Sequence, residues 1–441
     1  MNTPISDFIK AYRESGTARF HMPGHKGQNG DADDITEIRG ADELYGADGI
    51  ILESENNASR LFGSAHSYYS TEGSTLAIKA MLTLAAQKRP RGERPLFVAS
   101  RNVHKAFVYG AAMLDAEVVW MYSESSHICK CEVSAADVEL ALGKCPRKPD
   151  GVYLTSPDYL GNIADVKGIA EVCDREGVPL LVDNAHGAYL AFLEESRHPL
   201  ALGASMCADS AHKTLPVLTG GAYLHIAKKA EHFCESARSA LAIHASTSPS
   251  YLILKSLDEC NKYLAKSPTP RSAVIDSFVS EQRASLLKRG IVTEGDERRK
   301  IVINAKASGY LGEELAEIFR SGGVEPEFCD SDYTVLMLSE FNSDGELARL
   351  ERIFSSLEGK EAVGTAACKV PTCKRAMSIR EAVFADFEIL PVLEAEGRIC
   401  ASPTVSCPPA VSVVLSGEVI DDEVVRALLK CGIKEISVVK N

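Results

Sequence analysis

No stretch of the 441 residues approaches eighteen consecutive apolar positions, so the sequence offers no candidate for a membrane-crossing helix. Its first ten residues, Met1 to Lys10, lack the apolar block that opens a secretory leader, and the expected compartment is the cytoplasm. Positive charge is also short: 48 Lys and Arg stand against 61 Asp and Glu, a formal net charge of −13. That balance argues against the clustered basic surface by which proteins hold nucleic acid or anionic membrane, and favours a small-molecule substrate. Two phosphate-binding fingerprints are missing. Neither G-x-x-x-x-G-K-[ST] nor a G-x-G-x-x-G after a strand occurs, and Gly24-His-Lys-Gly27 has the wrong spacing for a phosphate loop. Thirteen cysteines are present but scattered. The close groupings, Cys129 with Cys131 after His127 and Cys368 with Cys373, lack a second matching ligand pair, so the cysteines read as reduced thiols with no metal site and no disulfide.

What is present is an ordinary globular composition, 45% apolar and 25% charged, in a chain long enough for two or three domains. The first sixty residues are polar, broken by glycines and without a long periodic segment, and read as an arm that wraps another surface. From Leu61 to Leu257 apolar strands alternate with helical stretches. The strand candidates are Leu96–Ala99, Val118–Met121, Gly151–Thr155, Pro179–Val182 and Gly221–His225. Strand and helix in alternation predict a mainly parallel sheet covered on both faces, with ligands at the carboxyl ends of its strands. A breaker-rich link, Ala265-Lys-Ser-Pro-Thr-Pro-Arg-Ser272, follows. Beyond it Arg299–Asn304, Gly312–Ser321 and Tyr333–Ser339 outline a smaller C-terminal α/β domain. The expected division is an arm over 1–60, a large domain over 61–265 and a small domain over 273–441.

The most informative pair is Lys213, in Ala208-Asp-Ser-Ala-His-Lys-Thr-Leu-Pro216, and Asp183, which closes the apolar run from Val178 to Val182. A lysine that forms a Schiff base with an aldehyde cofactor needs an anionic partner across the cofactor ring, and a carboxylate at a strand end can supply it. Pyridoxal phosphate is the cofactor this pair suggests. Tyr69-Ser-Thr-Glu-Gly-Ser-Thr75 runs into a helical pattern at Leu76–Ala85. The free N–H groups there and the Ser74 and Thr75 hydroxyls suit a phosphate, although the same run also suits a plain Ser/Thr helix cap. His104, just past the Leu96–Ala99 strand, is placed either to stack on a cofactor ring or to serve as a polar loop residue. Ser210 and His212 offer a hydroxyl and an imidazole to the same phosphate.

Seven ordered segments carry a resemblance: His21-Met-Pro-Gly-His-Lys-Gly27, Asp34–Glu37 with Gly40–Asp42, Thr71–Thr75, Arg101–Lys105, Asp183-Asn-Ala-His-Gly187, Ser210–Pro216 and Ser246–Tyr251. The chain resembles the ornithine/lysine/arginine decarboxylase family of fold type I pyridoxal-phosphate enzymes, in its short bacterial branch. The resemblance implies a large domain of the fold type I transferase kind and decarboxylation of a basic L-amino acid, arginine before lysine or ornithine, on the way to polyamines. It implies Lys213 as the Schiff-base lysine, Asp183 as partner of the ring nitrogen, His104 as the stacking residue and His186 near the ring. Ser74, Thr75, Ser210 and His212 bind phosphate on this reading, and Lys213 or His212 returns a proton to the α-carbon. Ser246, Thr247 and Ser248 match a segment that reaches a neighbouring subunit's cofactor, which implies a homodimer or larger assembly. Asn184 and Tyr189 depart from the family pattern, where an acid and a histidine are usual. Cys407-Pro-Pro-Ala-Val-Ser412 departs from Tyr-Pro-Pro-Gly-Ile-Pro. The alternatives are another fold type I reaction, with Arg398 clamping an α-carboxylate, and a non-catalytic partner subunit.

Overall fold

A computed structural model describes residues 1–28, 30–87, 89–90, 92–122, 127–130, 132–364, 369–403 and 410–440. The chain forms two compact units. The first comprises Met1–Ala99, Ser134–Ser156 and Asp165–Pro268; the second comprises Ser100–Val133, Pro157–Ala164 and Thr269–Asn441.

The first unit is built on strands β1 (His66–Ser70), β2 (Leu96–Ser100), β4 (Gly151–Thr155), β5 (Leu180–Asp183), β6 (Met206–Asp209) and β7 (Ala222–Ile226), in the order β1-β7-β6-β5-β4-β2; β3 (Glu117–Met121) belongs to the second unit. Pairs β2–β4, β4–β5 and β5–β6 are parallel, while β7 runs antiparallel to both β6 and β1. Strands β2, β5, β6 and β7 are buried along their whole length, as strands of a sheet covered on both faces must be. Two reversals, β6 to β7 and β7 to β1, leave β1 running the same way as β6. The loop after β1 therefore emerges at the same sheet end as the loops after β5 and β6.

Four of the five expected strands fall in the first unit or at its border, at Leu96, Gly151, Leu180 and Ala222, within one residue of their expected starts, and the fifth is β3. Two strands of the first unit were not foreseen. In β1 the run His-Ser-Tyr-Tyr-Ser has no apolar alternation, and β6, Met-Cys-Ala-Asp, is four short residues. The helix that follows β1, Gly73–Ala86, buries ten residues from Leu76 to Ala86, so it is enclosed nearly all round. It packs on β6, β7 and the helix Cys234–His244.

The first sixty residues are not free of regular structure: helices occupy Pro4–Glu14 and Ile50–Phe62. Apolar periodicity hides the second because the face it buries is largely polar. Ser54, Glu55, Asn57 and Ser59 point inward, and Glu55 accepts the Tyr69 N–H and pairs with His66 and Arg238.

In the second unit β8 (Thr293–Glu294), β9 (Lys300–Asn304), β10 (Phe328–Cys329) and β11 (Tyr333–Met337) form an antiparallel sheet in the order β10-β11-β9-β8; β12 (Phe387–Pro391) pairs with β13 (Glu435–Val439). Helices Pro270–Lys288, Gly312–Ser321 and Asp344–Ser356 close one core around Ile275, Ile301, Phe319 and Phe354. The Ala265–Ser272 link is short because Thr269 already caps the next helix, accepting the Ser272 N–H, and Pro270 opens it. Among the described cysteines nine are free thiols, and Cys431 is a correction to the expectation, being disulfide-bonded. Spacing along a chain does not reveal such a pairing. Cys131, Cys368 and Cys407–Pro409 lie outside the described residues. No helix among the described residues is long and apolar enough to cross a membrane.

Candidate active site

Three loops meet at the carboxyl end of the first unit's sheet. Asp183 is the last residue of β5, in register with Thr155 of β4 and Ala208 of β6. Its side chain is buried. Oδ2 accepts the Tyr153 hydroxyl at 3.1 Å and Oδ1 accepts the Ala185 N–H at 3.2 Å. Burial pushes this carboxyl above the usual range, against the opposing pull of the Lys213 cation, the Ala185 N–H and the Tyr153 hydroxyl. A buried carboxylate of this kind is stabilised by a cationic hydrogen-bond donor, which a protonated ring nitrogen provides.

Lys213 lies on the short helix Ala211–Thr214 that follows β6 and is exposed, with Nζ 3.1 Å from Nε2 of the buried His186. The loop after β5, Asp183 to Gly187, and the loop after β6 are thus joined through the lysine itself. His212 is held by the backbone: its Nδ1 lies 3.0 Å from the Gly221 carbonyl, and burial pulls its imidazole below the usual histidine range.

The loop after β1 brings Ser74 to the same place. Ser210 Oγ donates to Ser74 Oγ at 2.8 Å, and the Gly73 N–H bonds the Gly220 carbonyl at 2.7 Å. Gly73 has φ +72°, a left-handed conformation that suits glycine, and a Cβ there would meet open space. No side chain caps this helix, and past the Gly73 N–H, which is taken by Gly220, its first turn lies beside two converging hydroxyls. That combination fits a phosphate. Thr75 is exposed on the same turn.

Ser246 and Thr247 are exposed, and the Ser246 N–H bonds the Glu72 carboxylate at 2.7 Å. His104 belongs to the second unit, where it caps the helix Lys105–Leu114 by accepting the Ala106 N–H. Arg398, also in that unit, is engaged by Glu388 and the Val439 carbonyl, each at 2.7 Å, so nothing reserves it for a substrate carboxylate.

Sequence reasoning missed Tyr153, the donor to Asp183, and it missed a buried cluster around Asp209, which includes His198, His225 and Cys207. No spacing signal marks Tyr153 inside an apolar strand. Asp209 could have been noticed, since an acid closing a short run before Ser210 is out of place in a buried strand. A cavity of about 470 Å³ lies at the opposite, amino end of the sheet, lined by Arg89, Arg147, Asp150, Pro179 and Lys229, and holds none of the expected residues.

The model of the Orn/Lys/Arg decarboxylase major domain matches residues 3–289. The chain belongs to this family. It is a decarboxylase that depends on pyridoxal phosphate. Family membership spans the whole of the loop system just described. The chain is 27% identical to the arginine decarboxylase of Bacillus subtilis (strain 168), over 97% of this chain and 93% of that protein. It is also 27% identical to the arginine decarboxylase of Halalkalibacterium halodurans, over 95% and 91%. Among solved structures, the constitutive lysine decarboxylase of E. coli aligns with a TM-score of 0.76 at 17% identity, over 100% of this chain and 82% of that one. At that identity the likeness is one of fold, and it is the fold type I architecture that the resemblance implied.

Proposed function

We propose that this family member decarboxylates arginine in preference to lysine or ornithine, and that Lys213 is its Schiff-base residue. The observation that carries the site assignment is the position of the Lys213 amine, 3.1 Å from His186 and in the same loop system as the buried carboxylate of Asp183. The choice of arginine rests on the two relatives named arginine decarboxylase, each covered over more than nine-tenths of its length.

When bound, pyridoxal phosphate supplies an electron sink for the pair released as carbon dioxide leaves the α-carbon. The chain's own residues do the rest. Asp183 holds a proton on the ring nitrogen, and Tyr153 and the Ala185 N–H keep that carboxylate aimed and ionised. Ser74, Thr75 and Ser210, with the open turn at Gly73, hold the phosphate, while His212, fixed by Gly221, lies alongside. His186 orients the Lys213 amine, and Lys213 or His212 delivers a proton to the α-carbon.

Ser246 and Thr247, exposed in this chain, complete the site of a second copy, so the working form is a homodimer or larger. The cytoplasm is its compartment and polyamine synthesis takes its product. The arm at 1–60 and the domains at 61–265 and 273–441 remain our division of labour along the chain. The deciding experiment incubates the purified protein with pyridoxal phosphate and a panel of L-amino acids, reading carbon dioxide and the amine formed. Arginine turned over with the highest kcat/KM is the expected result. Lysine or ornithine ahead of it would move the substrate, and no carbon dioxide from any amino acid would overturn the reading.

A further inference from the structure

We propose that Asp209 is the positioning residue of the cofactor site: its buried carboxylate ties the end of β5 to the end of β6 and so fixes the spacing between Asp183 and the Ser210–Lys213 turn. The inference rests on the assignment of Asp183 and Lys213 above.

The backbone ladder between β5 and β6 ends at the pair Asp183 and Ala208, with one further bond from the Asn184 N–H to the Ala208 carbonyl. Beyond that point the two chains diverge into the loops that carry the cofactor residues. The next link is between side chains: Asn184 Nδ2 donates to Asp209 Oδ1 at 2.7 Å. Asn184 directly follows Asp183, and Asp209 directly precedes Ser210.

The other oxygen faces two imidazoles. Oδ2 lies 2.9 Å from His198 Nε2 and 3.3 Å from His225 Nε2. His225 comes from β7, where it pairs with Cys207, and its Nδ1 is 2.7 Å from Ser67 Oγ on β1, which in turn meets Ser64 at 2.8 Å. One carboxylate therefore joins the carboxyl end of β5 to β6, β7 and β1, and every member of the set is buried. A charged acceptor suits this place because its hydrogen bonds are short and strong. Asn184 Oδ1 is buried with no hydrogen-bond partner, so its amide is spent on this one link. Cys207 Sγ, 3.9 Å from His198 Nε2, gives the same cluster the makings of a metal site, and the test separates the two.

The test compares wild type with Asp209→Asn, both checked by thermal melting, titrating cofactor-free protein with pyridoxal phosphate and following the visible absorbance. Losing the carboxylate charge that these contacts share should weaken cofactor affinity about tenfold. Asp209→Asn should also lower kcat while leaving KM for the amino acid unchanged, because the substrate's own contacts are untouched. The reciprocal variant Asn184→Asp/Asp209→Asn restores a carboxylate–amide link across the same gap and should recover most of the affinity. Wild-type affinity and kcat in Asp209→Asn, or no recovery in the reciprocal variant, would overturn the proposal. So would stoichiometric zinc in the purified protein that Cys207→Ser loses. Should Asp209→Asn fail to fold, Asn184→Ala cuts the same link and should show the same loss; unchanged affinity there overturns the proposal equally. A wild type that takes up no cofactor rejects the parent assignment, whereas a loaded wild type with indifferent variants rejects only this one.

Discussion

The ε-amine of Lys213 lies 3.1 Å from Nε2 of His186. The two residues come from loops after neighbouring parallel strands, so the contact exists only once β5 and β6 are paired. When the amine donates to this nitrogen the His186 proton sits on Nδ1, and the imidazole gives the exposed lysine a fixed partner.

Lys213→Ala should abolish the visible absorbance of protein-bound pyridoxal phosphate. Its activity should fall by about 10²–10⁴-fold or more, the range lost with a positioned proton-transfer group. Spectra of the loaded variant and single-turnover assays check both. A variant that keeps the band would remove Lys213 from the reaction.

Asp183→Ala should still bind the cofactor through the phosphate cradle, yet turn over about 10²–10³-fold more slowly, as expected when a preorganised charge is removed. Tyr153→Phe is the milder companion. Without the 3.1 Å hydrogen bond the carboxyl, already raised by burial, should rise further. The acid limb of the kcat profile should therefore move to higher pH, with kcat at neutral pH down severalfold, about the worth of one hydrogen bond. A limb that stays where wild type has it would detach Tyr153 from the charge state of Asp183.

Asp258, on the helix Tyr251–Leu264, accepts the Ser6 N–H and the Ser54 hydroxyl, and burial pushes its carboxyl up to about 6. An acid raised on folding binds its proton more tightly in the native state. Its contribution is therefore intact below the unfolded pKa near 4 and is lost as pH rises to about 6. Asp258→Asn should flatten that loss and be more stable than wild type at pH 8, by on the order of 3 kcal/mol. Urea melts at pH 5 and pH 8 measure it. Equal pH dependence in both proteins would contradict the account.

Ala410 has φ +57°, a left-handed conformation, and its carbonyl accepts the Lys105 N–H at 3.0 Å. Relatives with the Tyr-Pro-Pro-Gly-Ile-Pro pattern carry glycine at this position. Ala410→Gly should stabilise the second unit by about 0.5–1 kcal/mol, the relief of a Cβ in that region less the added freedom of the unfolded chain. Thermal melting reads the sign, and a lower Tm would mean that the alanine methyl contributes more in packing than it costs in backbone strain.

The sequence by itself determined the family, the parallel strands from Leu96 to Val182 and the order of the cofactor segments, because short apolar runs and contiguous motifs such as Ser210–Lys213 are local signals. It did not disclose β1 or the helix Ile50–Phe62, whose buried faces carry serine, tyrosine, glutamate and asparagine that interrupt the apolar period. Nor did it disclose that Tyr153, Asn184, His198 and His225 serve Asp183 and Asp209, residues up to 30 positions away. Those pairings were decided by strand order. Parallel neighbours bring together residues that are far apart along the chain, and a polar side chain can be buried there only because the sheet delivers its hydrogen-bond partner.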